Sequence, residues 1–265
     1  MSPTNKWALV TGASAGIGKE IATVFAHNRY NIVLVARRRE KLESVAEELS
    51  AIGVKTHIIV EDLSDPSAPE RIFTNTQENH IPISCLVNNA GFGFHEQFHT
   101  APWEHRASEL NVMIHALTHL CYLYLPSMKE QQFGRIINLS STAAFLPPSP
   151  GNLYSAIKSY VALFSQSLHM EVSEHNIHVC ALCPGFTYSE FHDSMNTRDA
   201  ISKSMPKIAW MEADEVAQQG YDAVMKGTSV YINGNVNRTL KTVLKYTPEV
   251  IKPYISKLNL FGELH

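Results

Sequence analysis

Apolar, strand-like segments that alternate with amphipathic helical segments restrict the fold of this chain more than any other feature. Runs rich in Val, Ile and Leu recur seven times and are separated by stretches that place apolar residues at helical spacing. The strand-like runs are 7–10, 31–36, 56–60, 85–87, 135–139, 177–182 and 229–232. Because each crossover between parallel strands is right-handed, this order predicts a doubly wound α/β fold: one seven-stranded parallel sheet with helices on both faces.

The length and rhythm of the chain predict one domain. A chain of 265 residues and 29.6 kDa is within the range of single α/β units. No internal repeat, low-complexity tract or linker divides the sequence. We expect a single domain over residues 1–265, with a lid at about 188–211, where the alternation breaks, and a C-terminal extension at about 235–265.

The composition excludes several classes of function. Hydrophobic residues make up 45% of the chain, and the formal net charge of −3 provides no positive field for nucleic acid. No apolar run reaches the roughly 18 residues that a membrane-spanning helix needs, so we expect no integral membrane segment. The first residues show no signal-peptide pattern and the four cysteines are dispersed, which predicts a cytoplasmic location.

Two pairs of potential metal ligands have simpler explanations. Cys180 and Cys183 lie on a predicted strand, where residues three apart point to opposite faces, so we expect both thiols in the core. His115 and His119 are four residues apart on a predicted helix, but no third ligand accompanies them. We therefore expect no metal site.

A glycine-rich turn, G-x-x-x-G-x-G, connects the first strand to the first helix through Gly12, Gly16 and Gly18. Glycines in such a turn let a pyrophosphate approach the backbone and the helix N-terminus without a Cβ in the way. The alternative is an ordinary strand-to-helix turn. The strand before the glycines and the helix after them favour dinucleotide binding.

The end of the second strand indicates which dinucleotide is bound. Dinucleotide folds that bind NAD carry an acidic residue here, whereas this chain has Ala36, which is 24 residues after Gly12, followed by three arginines. A guanidinium neutralises a 2′-phosphate, and no carboxylate is present to repel it. We therefore predict NADP(H) as the cofactor, with Arg37 as the principal phosphate ligand. Three arginines on a solvated helix start are the alternative.

The candidate catalytic pair is Tyr154 and Lys158, four residues apart at the start of a predicted helix and therefore on one face. An ammonium group beside the phenol favours the phenolate and lowers the tyrosine pKa toward the range of a general acid and base. Ser141 follows the fifth strand and Asn89 the fourth, so both are expected at the edge of the sheet where ligands bind.

These motifs together resemble the short-chain dehydrogenase/reductase superfamily in its compact branch, matched in order over residues 9–187. The resemblance implies a Rossmann-type domain. Its catalytic residues would be Asn111, Ser141, Tyr154 and Lys158. Together with the arginine above, the candidate cofactor-binding residues are Gly12, Ser14, Gly16, Ile17, Gly18, Arg37, Asp62, Leu63, Asn89, Ala90, Gly91, Tyr154, Lys158, Pro184, Gly185 and Thr187.

The resemblance also implies a role for each catalytic residue. Ser141 would polarise a substrate carbonyl, and Tyr154 would donate or accept its proton. Lys158 would lower the tyrosine pKa and hold the nicotinamide ribose, and Asn111 would hold a water molecule that links the lysine to solvent. Residues 184–187 would hold the nicotinamide carboxamide. The superfamily commonly pairs through the helices that carry Asn111 and Tyr154, which implies a homodimer or homotetramer.

We therefore expect an NADP-dependent oxidoreductase that interconverts a small-molecule carbonyl and a secondary alcohol. An NADP(H)-binding regulatory or sensor protein without turnover is the alternative, and an epimerase or dehydratase of related architecture is a third possibility. Aromatic residues after the strand ends favour a lipophilic substrate. They are Phe92, Phe94, Phe98, Phe145, Phe186, Tyr188 and Trp210.

The segment after the last strand is basic and departs from the pattern of many relatives. It resembles, loosely, the corresponding segment of bacterial ketoacyl and hydroxysteroid reductases. Its amphipathic character fits a helix packed on its own domain or in an oligomer, with contact to an acidic membrane surface or a partner as the alternative.

Overall fold

Seven parallel strands form the main sheet, as predicted. The structure is a computed structural model that describes residues 6–94, 97–147, 153–189, 210–248 and 251. Its strands are β1 (Trp7–Thr11), β2 (Asn31–Ala36), β3 (Thr56–Val60), β4 (Ile83–Asn88), β5 (Gly134–Leu139), β6 (Ile177–Cys183), β7 (Phe186–Tyr188), β8 (Trp210–Glu212) and β9 (Val230–Ile232). The order across the main sheet is β3-β2-β1-β4-β5-β6-β9, and every neighbouring pair is parallel.

Helices cover both faces of this sheet, which confirms the doubly wound prediction. The helices are α1 (Gly16–His27), α2 (Arg39–Ala51), α3 (Ala68–Glu78), α4 (Trp103–Leu110), α5 (Leu117–Gln131), α6 (Leu153–Val172), α7 (Ala213–Met225) and α8 (Asn235–Tyr246). Apolar residues of α1, α2 and α7 form one core with the sheet, and those of α3, α5 and α6 form a second core on the opposite face. The central strands supply both cores because successive side chains alternate between the faces: Ala8 of β1 joins the first core and Leu9 the second.

The central strands read as continuous apolar runs because both of their faces are covered. All five residues of β1 and all six of β4 are buried. The strand order reverses beside β1, since β1 lies between β2 and β4. A crevice for a ligand is expected outside the carboxyl ends of strands at such a reversal.

The structure differs from the predicted elements in two places. The helix predicted to carry His115 and His119 is divided into α4 and α5 by one π-helical turn, Asn111–Ala116. In addition, β7 and β8 pair as a separate two-stranded parallel sheet that the sequence did not predict. Each of these strands has only three residues, which is too few for a periodic pattern.

Parts of the predicted organisation lie outside the described residues. Of the predicted lid, 190–209 fall outside the described ranges, as do 249–250 and 252–265 of the C-terminal extension. The single domain over 1–265 stays a prediction. Cys180 and Cys183 are buried free thiols, as expected. In the described ranges, no helix is both long and apolar enough to cross a bilayer.

Candidate active site

The ends of four strands place the candidate residues along one edge of the sheet. Gly12 follows β1, Asn89 follows β4, Ser141 follows β5 and Pro184 follows β6. Because the strands are parallel, their carboxyl ends meet at the same edge. The fold therefore brings segments that are far apart in the chain to one crevice.

Asn89 holds the glycine-rich turn against the end of β4. Its Nδ2 donates to the carbonyl oxygens of Thr11 at 3.0 Å and Gly12 at 3.2 Å, and its backbone N donates to Thr11 Oγ1 at 3.0 Å. Gly12 has a φ of +67°, and a Cβ there would lie 2.7 Å from Asn89 Nδ2. A Cβ at Gly18 would collide with the Gly12 carbonyl oxygen. The turn therefore depends on glycine at both positions.

The N-terminus of α1 fits an anionic ligand. Its first turn contains no acidic residue, and its N-cap residue, Ala15, makes no capping hydrogen bond through its side chain. The first backbone N–H groups of a helix have no partner within the helix and attract negative charge. Gly16 and Ile17 begin this turn, and Ser14 lies just before it. The turn is therefore suited to hold a pyrophosphate.

Arg38, and not Arg37, contacts the glycine-rich turn. The Nη2 atom of Arg38 donates to Ser14 Oγ at 2.9 Å. The side chain of Arg37 is 67% exposed, and its Nη1 lies 3.9 Å from the Asp62 carboxylate. Ala36 ends β2 beside them, so this corner has no carboxylate at the position where one would bind a ribose hydroxyl. Sequence spacing alone could not rank neighbouring arginines, because their directions depend on the backbone at the start of α2.

Asp62 and Leu63 occupy the turn after β3. Asp62 is exposed and its Oδ1 accepts a hydrogen bond from Ser64 N at 3.0 Å, whereas Leu63 is buried. Asn111 Nδ2 donates to the carbonyl oxygen of Ser64 at 2.9 Å. Asn111 is also the first residue of the π-helical turn. The structure therefore connects Asn111 to the turn after β3, and a water link from Asn111 to Lys158 stays a prediction.

Ser141, Tyr154 and Lys158 lie together at the centre of this edge. The Ser141 side chain lies close enough to the Tyr154 hydroxyl to lower the pKa of the phenol. Lys158 Nζ lies 5.4 Å from the centroid of the Tyr154 ring and donates to the Leu139 carbonyl oxygen at 2.7 Å. Ser141 Oγ also accepts from Ala143 N at 3.1 Å, because Ser141 caps the 3₁₀ turn Thr142–Phe145. The three predicted catalytic side chains therefore share one site.

Burial shifts the pKa values of the tyrosine and the lysine in opposite directions. Burial raises the pKa of Tyr154 to about 12, although the Ser141 side chain opposes the shift. Burial lowers the pKa of Lys158 to about 8. The direction for Tyr154 is opposite to the one expected from sequence, because loss of solvent outweighs the stabilisation of the phenolate by its neighbours. The resting site holds a neutral phenol.

The turn after β6 lies against the serine. Pro184 O accepts from Thr142 N at 2.9 Å and from Ser141 Oγ at 3.5 Å. Thr187 is buried, and its Oγ1 donates to the Gly185 carbonyl oxygen at 3.1 Å. These contacts fix the turn beside the Ser141 hydroxyl.

The segment after β4 closes the other side of the lysine. Ala90 N donates to Thr11 Oγ1 at 3.1 Å. A Cβ at Gly91 would lie 3.7 Å from Lys158 Nζ, so the backbone of Gly91 is close to the amine. The predicted residues 89–91 therefore connect the glycine-rich turn with Lys158.

A buried polar network behind the site was missed by the sequence analysis. Asn88 Nδ2 donates to Asn138 Oδ1, and Asn138 Nδ2 donates to Ser165 Oγ, both at 2.9 Å. Ser140 Oγ donates to the Lys158 carbonyl oxygen at 2.7 Å. These bonds join β4, β5 and α6, which carry the site. The signal was a set of polar residues within otherwise apolar strands, because buried polar groups require partners.

Five of the seven predicted aromatic residues form two separate groups. Phe92 and Phe94 pack edge to face with ring centroids 5.4 Å apart. Tyr188 stacks on Trp210 at 4.8 Å, and Phe186 lies 5.4 Å from the same indole. Phe145 packs instead on the small core between α6 and β9. Phe98 is exposed.

The described residues contain no group of three histidine, cysteine or acidic side chains that could hold a metal ion. The rings of His115 and His119 pack edge to face with centroids 5.4 Å apart.

Comparison with known families and proteins gives consistent results. The family model for short chain dehydrogenase matches residues 6–200. The very-long-chain 3-oxoacyl-CoA reductase of Anas platyrhynchos is 33% identical over 207 residues, which are 76% of this chain and 65% of the relative. The ketoacyl reductase HetN of Nostoc is 30% identical over 234 residues, 88% of this chain and 80% of the relative. The chain thus spans about 65% of the length of the duck protein.

Solved structures match over most of the chain. A short-chain dehydrogenase from Sphingobium yanoikuyae in complex with NADPH is 26% identical, with a TM-score of 0.78 over 92% of this chain and 96% of that one. The L-sorbose reductase of Gluconobacter frateurii, solved with NADPH and L-sorbose, is 25% identical, with a TM-score of 0.77 over 88% of this chain and 97% of that one.

Proposed function

The chain belongs to the short-chain dehydrogenase family, and from this premise we propose that it is an NADP(H)-dependent reductase of lipophilic carbonyl compounds. The observation that carries the proposal is the grouping of Ser141, Tyr154 and Lys158: the Ser141 side chain lies near the Tyr154 hydroxyl, and Lys158 Nζ lies 5.4 Å from the centroid of the Tyr154 ring. A sensor protein needs only a nucleotide site. Two hydroxyl groups beside a buried amine are instead suited to transfer a proton to or from a substrate.

The preference for NADP(H) rests on the corner between β1 and β2. The glycine-rich turn and the uncapped N-terminus of α1 suit the pyrophosphate, and Arg38 with Ser14 forms a polar pair at the ribose position. A 2′-phosphate is recognised well by a guanidinium and a hydroxyl, and Ala36 offers no carboxylate to repel it. The Sphingobium relative, solved with NADPH, supports this assignment.

When bound, the cofactor supplies the hydride that reduces the carbonyl carbon. Ser141 and Tyr154 donate hydrogen bonds to the carbonyl oxygen, where negative charge grows during the reaction. Because the pKa of Tyr154 is about 12, its hydroxyl carries a proton at neutral pH and is ready to donate it.

Lys158 has an electrostatic role. Its pKa of about 8 leaves most of the amine charged at neutral pH. A positive charge beside the phenol stabilises the phenolate that forms when Tyr154 gives up its proton. The amine is fixed by the Leu139 carbonyl, so little reorganisation is needed during the proton transfer.

The aromatic groups support a lipophilic substrate. The Phe92–Phe94 pair lies in the segment after β4. The Tyr188–Trp210 stack joins β7 to β8, and β7 follows the turn after β6. Apolar rings therefore follow two of the strands that end at the site. Apolar walls with a few placed polar groups are typical of pockets for hydrophobic ligands. Two relatives are named a very-long-chain 3-oxoacyl-CoA reductase and a ketoacyl reductase, and these names support a carbonyl substrate.

A homodimer or homotetramer is part of the proposal. On α6, Tyr160, Leu163 and Met170 form an exposed stripe at helical spacing, and Tyr122 of the neighbouring α5 is also exposed. The hydrogen bond between Thr118 and Tyr160 places the two helices side by side. Contiguous exposed apolar surface marks association sites. Light scattering should report an oligomer, which Leu163→Glu should dissociate.

Incubation of the purified protein with NADPH and matched ketones tests the proposed reaction. We expect loss of the reduced-nicotinamide absorbance with long-chain or ring ketones, and faster loss than with short polar ketones. Tyr154→Phe is the control for catalysis by the site. Binding of NADPH without turnover of any carbonyl would contradict the proposal and favour the sensor alternative.

A further inference from the structure

Helix α8 packs against the turn after β6 through a buried amide. Asn237 is only 9% exposed, and its side chain lies against Gly185. A Cβ at Gly185 would be 2.9 Å from Asn237 Oδ1 and closer still to Nδ2. Any larger residue at Gly185 would therefore displace the amide or the turn.

The amide of Asn237 is itself fixed. Its Nδ2 donates to the Asn233 carbonyl oxygen at 2.7 Å. Asn233 is fully buried; its backbone N donates to the Cys183 carbonyl oxygen at 3.3 Å, and its Nδ2 donates to Gln219 Oε1 at 3.0 Å. The amide that touches Gly185 is thus tied to the end of β6 and to α7.

The same helix also contacts the segment that Ser141 begins. Lys241, one turn after Asn237, places its Nζ 5.4 Å from the centroid of the Phe145 ring. Phe145 ends the 3₁₀ turn that Ser141 caps. Helix α8 therefore packs against two of the segments that carry the candidate site.

We propose that Asn237 is a positioning residue that sets the turn Pro184–Thr187 and, through it, the orientation of the nicotinamide ring. This inference rests on the proposed function, in which residues 184–187 hold the carboxamide. A ring held by a fixed turn presents one face to the substrate. A loosened turn allows other orientations and slows hydride transfer, because transfer depends steeply on geometry.

Asn237→Ala, with Asn235→Ala as the matched control, tests the proposal. Asn235 is an exposed asparagine at the start of the same helix. For Asn237→Ala we expect kcat to fall about tenfold or more, with KM for the carbonyl nearly unchanged. With NADPH deuterated on one face of C4 or the other, we expect transfer from a single face in the wild type and from both faces in the variant. Asn235→Ala should behave as the wild type.

A measurement without cofactor separates this inference from the proposed function. Hydrogen exchange of the full-length, cofactor-free protein should show faster exchange in the peptide that contains residues 184–187 for Asn237→Ala than for Asn235→Ala. Faster exchange with no turnover by the wild type would reject the reductase while supporting control of the turn by Asn237. Unchanged exchange and unchanged facial selectivity in an active enzyme would overturn the inference alone.

A double-mutant cycle covers the case in which Asn237→Ala does not fold. Gly185→Ala places its methyl group against the amide, so we expect weaker NADPH binding and a lower kcat. In Gly185→Ala/Asn237→Ser the shorter side chain leaves room for that methyl group and retains a donor. We expect this double variant to regain several-fold in kcat over Gly185→Ala. Additive losses would show that the contact does not set the turn.

Discussion

The Nζ atom of Lys158 donates a 2.7 Å hydrogen bond to the carbonyl oxygen of Leu139, the last residue of β5. The bond holds a buried amine at the end of the strand that leads to Ser141. The position of the amine is therefore set by the fold. The hydrogen bond to Leu139 explains why Lys158, near the start of α6, is aligned with Ser141. This serine precedes Tyr154 by thirteen residues in the chain.

The charged form of Lys158 should lower stability at neutral pH. Its folded pKa of about 8 is below the ordinary value of 10.5, so between these values the unfolded chain binds a proton that the folded chain lacks. The free energy of unfolding contributed by this group therefore rises with pH through that window and is lowest below pH 8.

Lys158→Met should stabilise the protein at pH 7 by about 1–3 kcal/mol, the burial penalty less the lost hydrogen bond. The advantage should shrink by pH 10, where the wild-type amine is neutral. Urea unfolding at both pH values measures the difference. Lys129→Met, an exposed control, should show no such trend. An advantage that is equal at the two pH values would refute the assigned shift.

Tyr154→Phe should lower kcat by about 10²–10⁴-fold, because the proton donor is removed from the site. NADPH affinity, measured by fluorescence titration, should change less than about twofold, since the ring and its packing remain. Ser141→Ala should lower kcat by about 10²–10³-fold, the loss of one positioned donor. Near-wild-type turnover in Tyr154→Phe would show that another group supplies the proton.

Arg38→Ala should weaken NADPH binding by about 10–100-fold while NADH binding changes little, because a charge-assisted hydrogen bond is worth about 1.5–3 kcal/mol. Arg37→Ala, which removes the arginine that faces Asp62, is the matched control and should have a smaller effect. Titration with both cofactors measures the ratio. A larger effect at Arg37 would restore the ranking predicted from the sequence.

Gly12→Ala should destabilise the protein by about 1–3 kcal/mol and weaken cofactor binding, because alanine is strained at a φ of +67° and meets the Asn89 amide. Gly53→Ala separates strain from crowding: Gly53 has a φ of +96°, but nothing lies within 4 Å of its Cβ position. It should lose stability without losing cofactor affinity. Equal losses of affinity in both variants would contradict a specific role for the glycine-rich turn.

Much of the fold could be predicted because it depends on local patterns. The seven strands of the main sheet were predicted from their continuous apolar runs. A parallel sheet that is covered on both faces requires such runs, as in β1 and β4. The pair formed by β7 and β8 could not be predicted, because three residues carry no period and their partners are more than twenty residues apart. The π-helical turn at Asn111 likewise leaves no signature in helical spacing.

The site divides in the same way. The spacing of Tyr154 and Lys158 on one helix and the position of Ser141 after a strand were sufficient to bring the three together. Side-chain directions and packing between distant segments decide the remaining contacts. They place Arg38, rather than Arg37, against the glycine-rich turn, and Asn237 against Gly185. No spacing rule contains that information.

The sequence by itself determined the parallel sheet and the glycine-rich turn, because both depend on residue type and short-range periodicity. It also supplied the candidate catalytic side chains, through the family resemblance. Only the tertiary structure decided the pKa values of the site residues and the packing around them. Burial raises the pKa of Tyr154 and lowers that of Lys158, and α8 packs against the turn after β6. The pKa shifts arise from loss of solvent around the two groups, and the α8 contact arises from packing between distant segments; both are properties of the assembled layers.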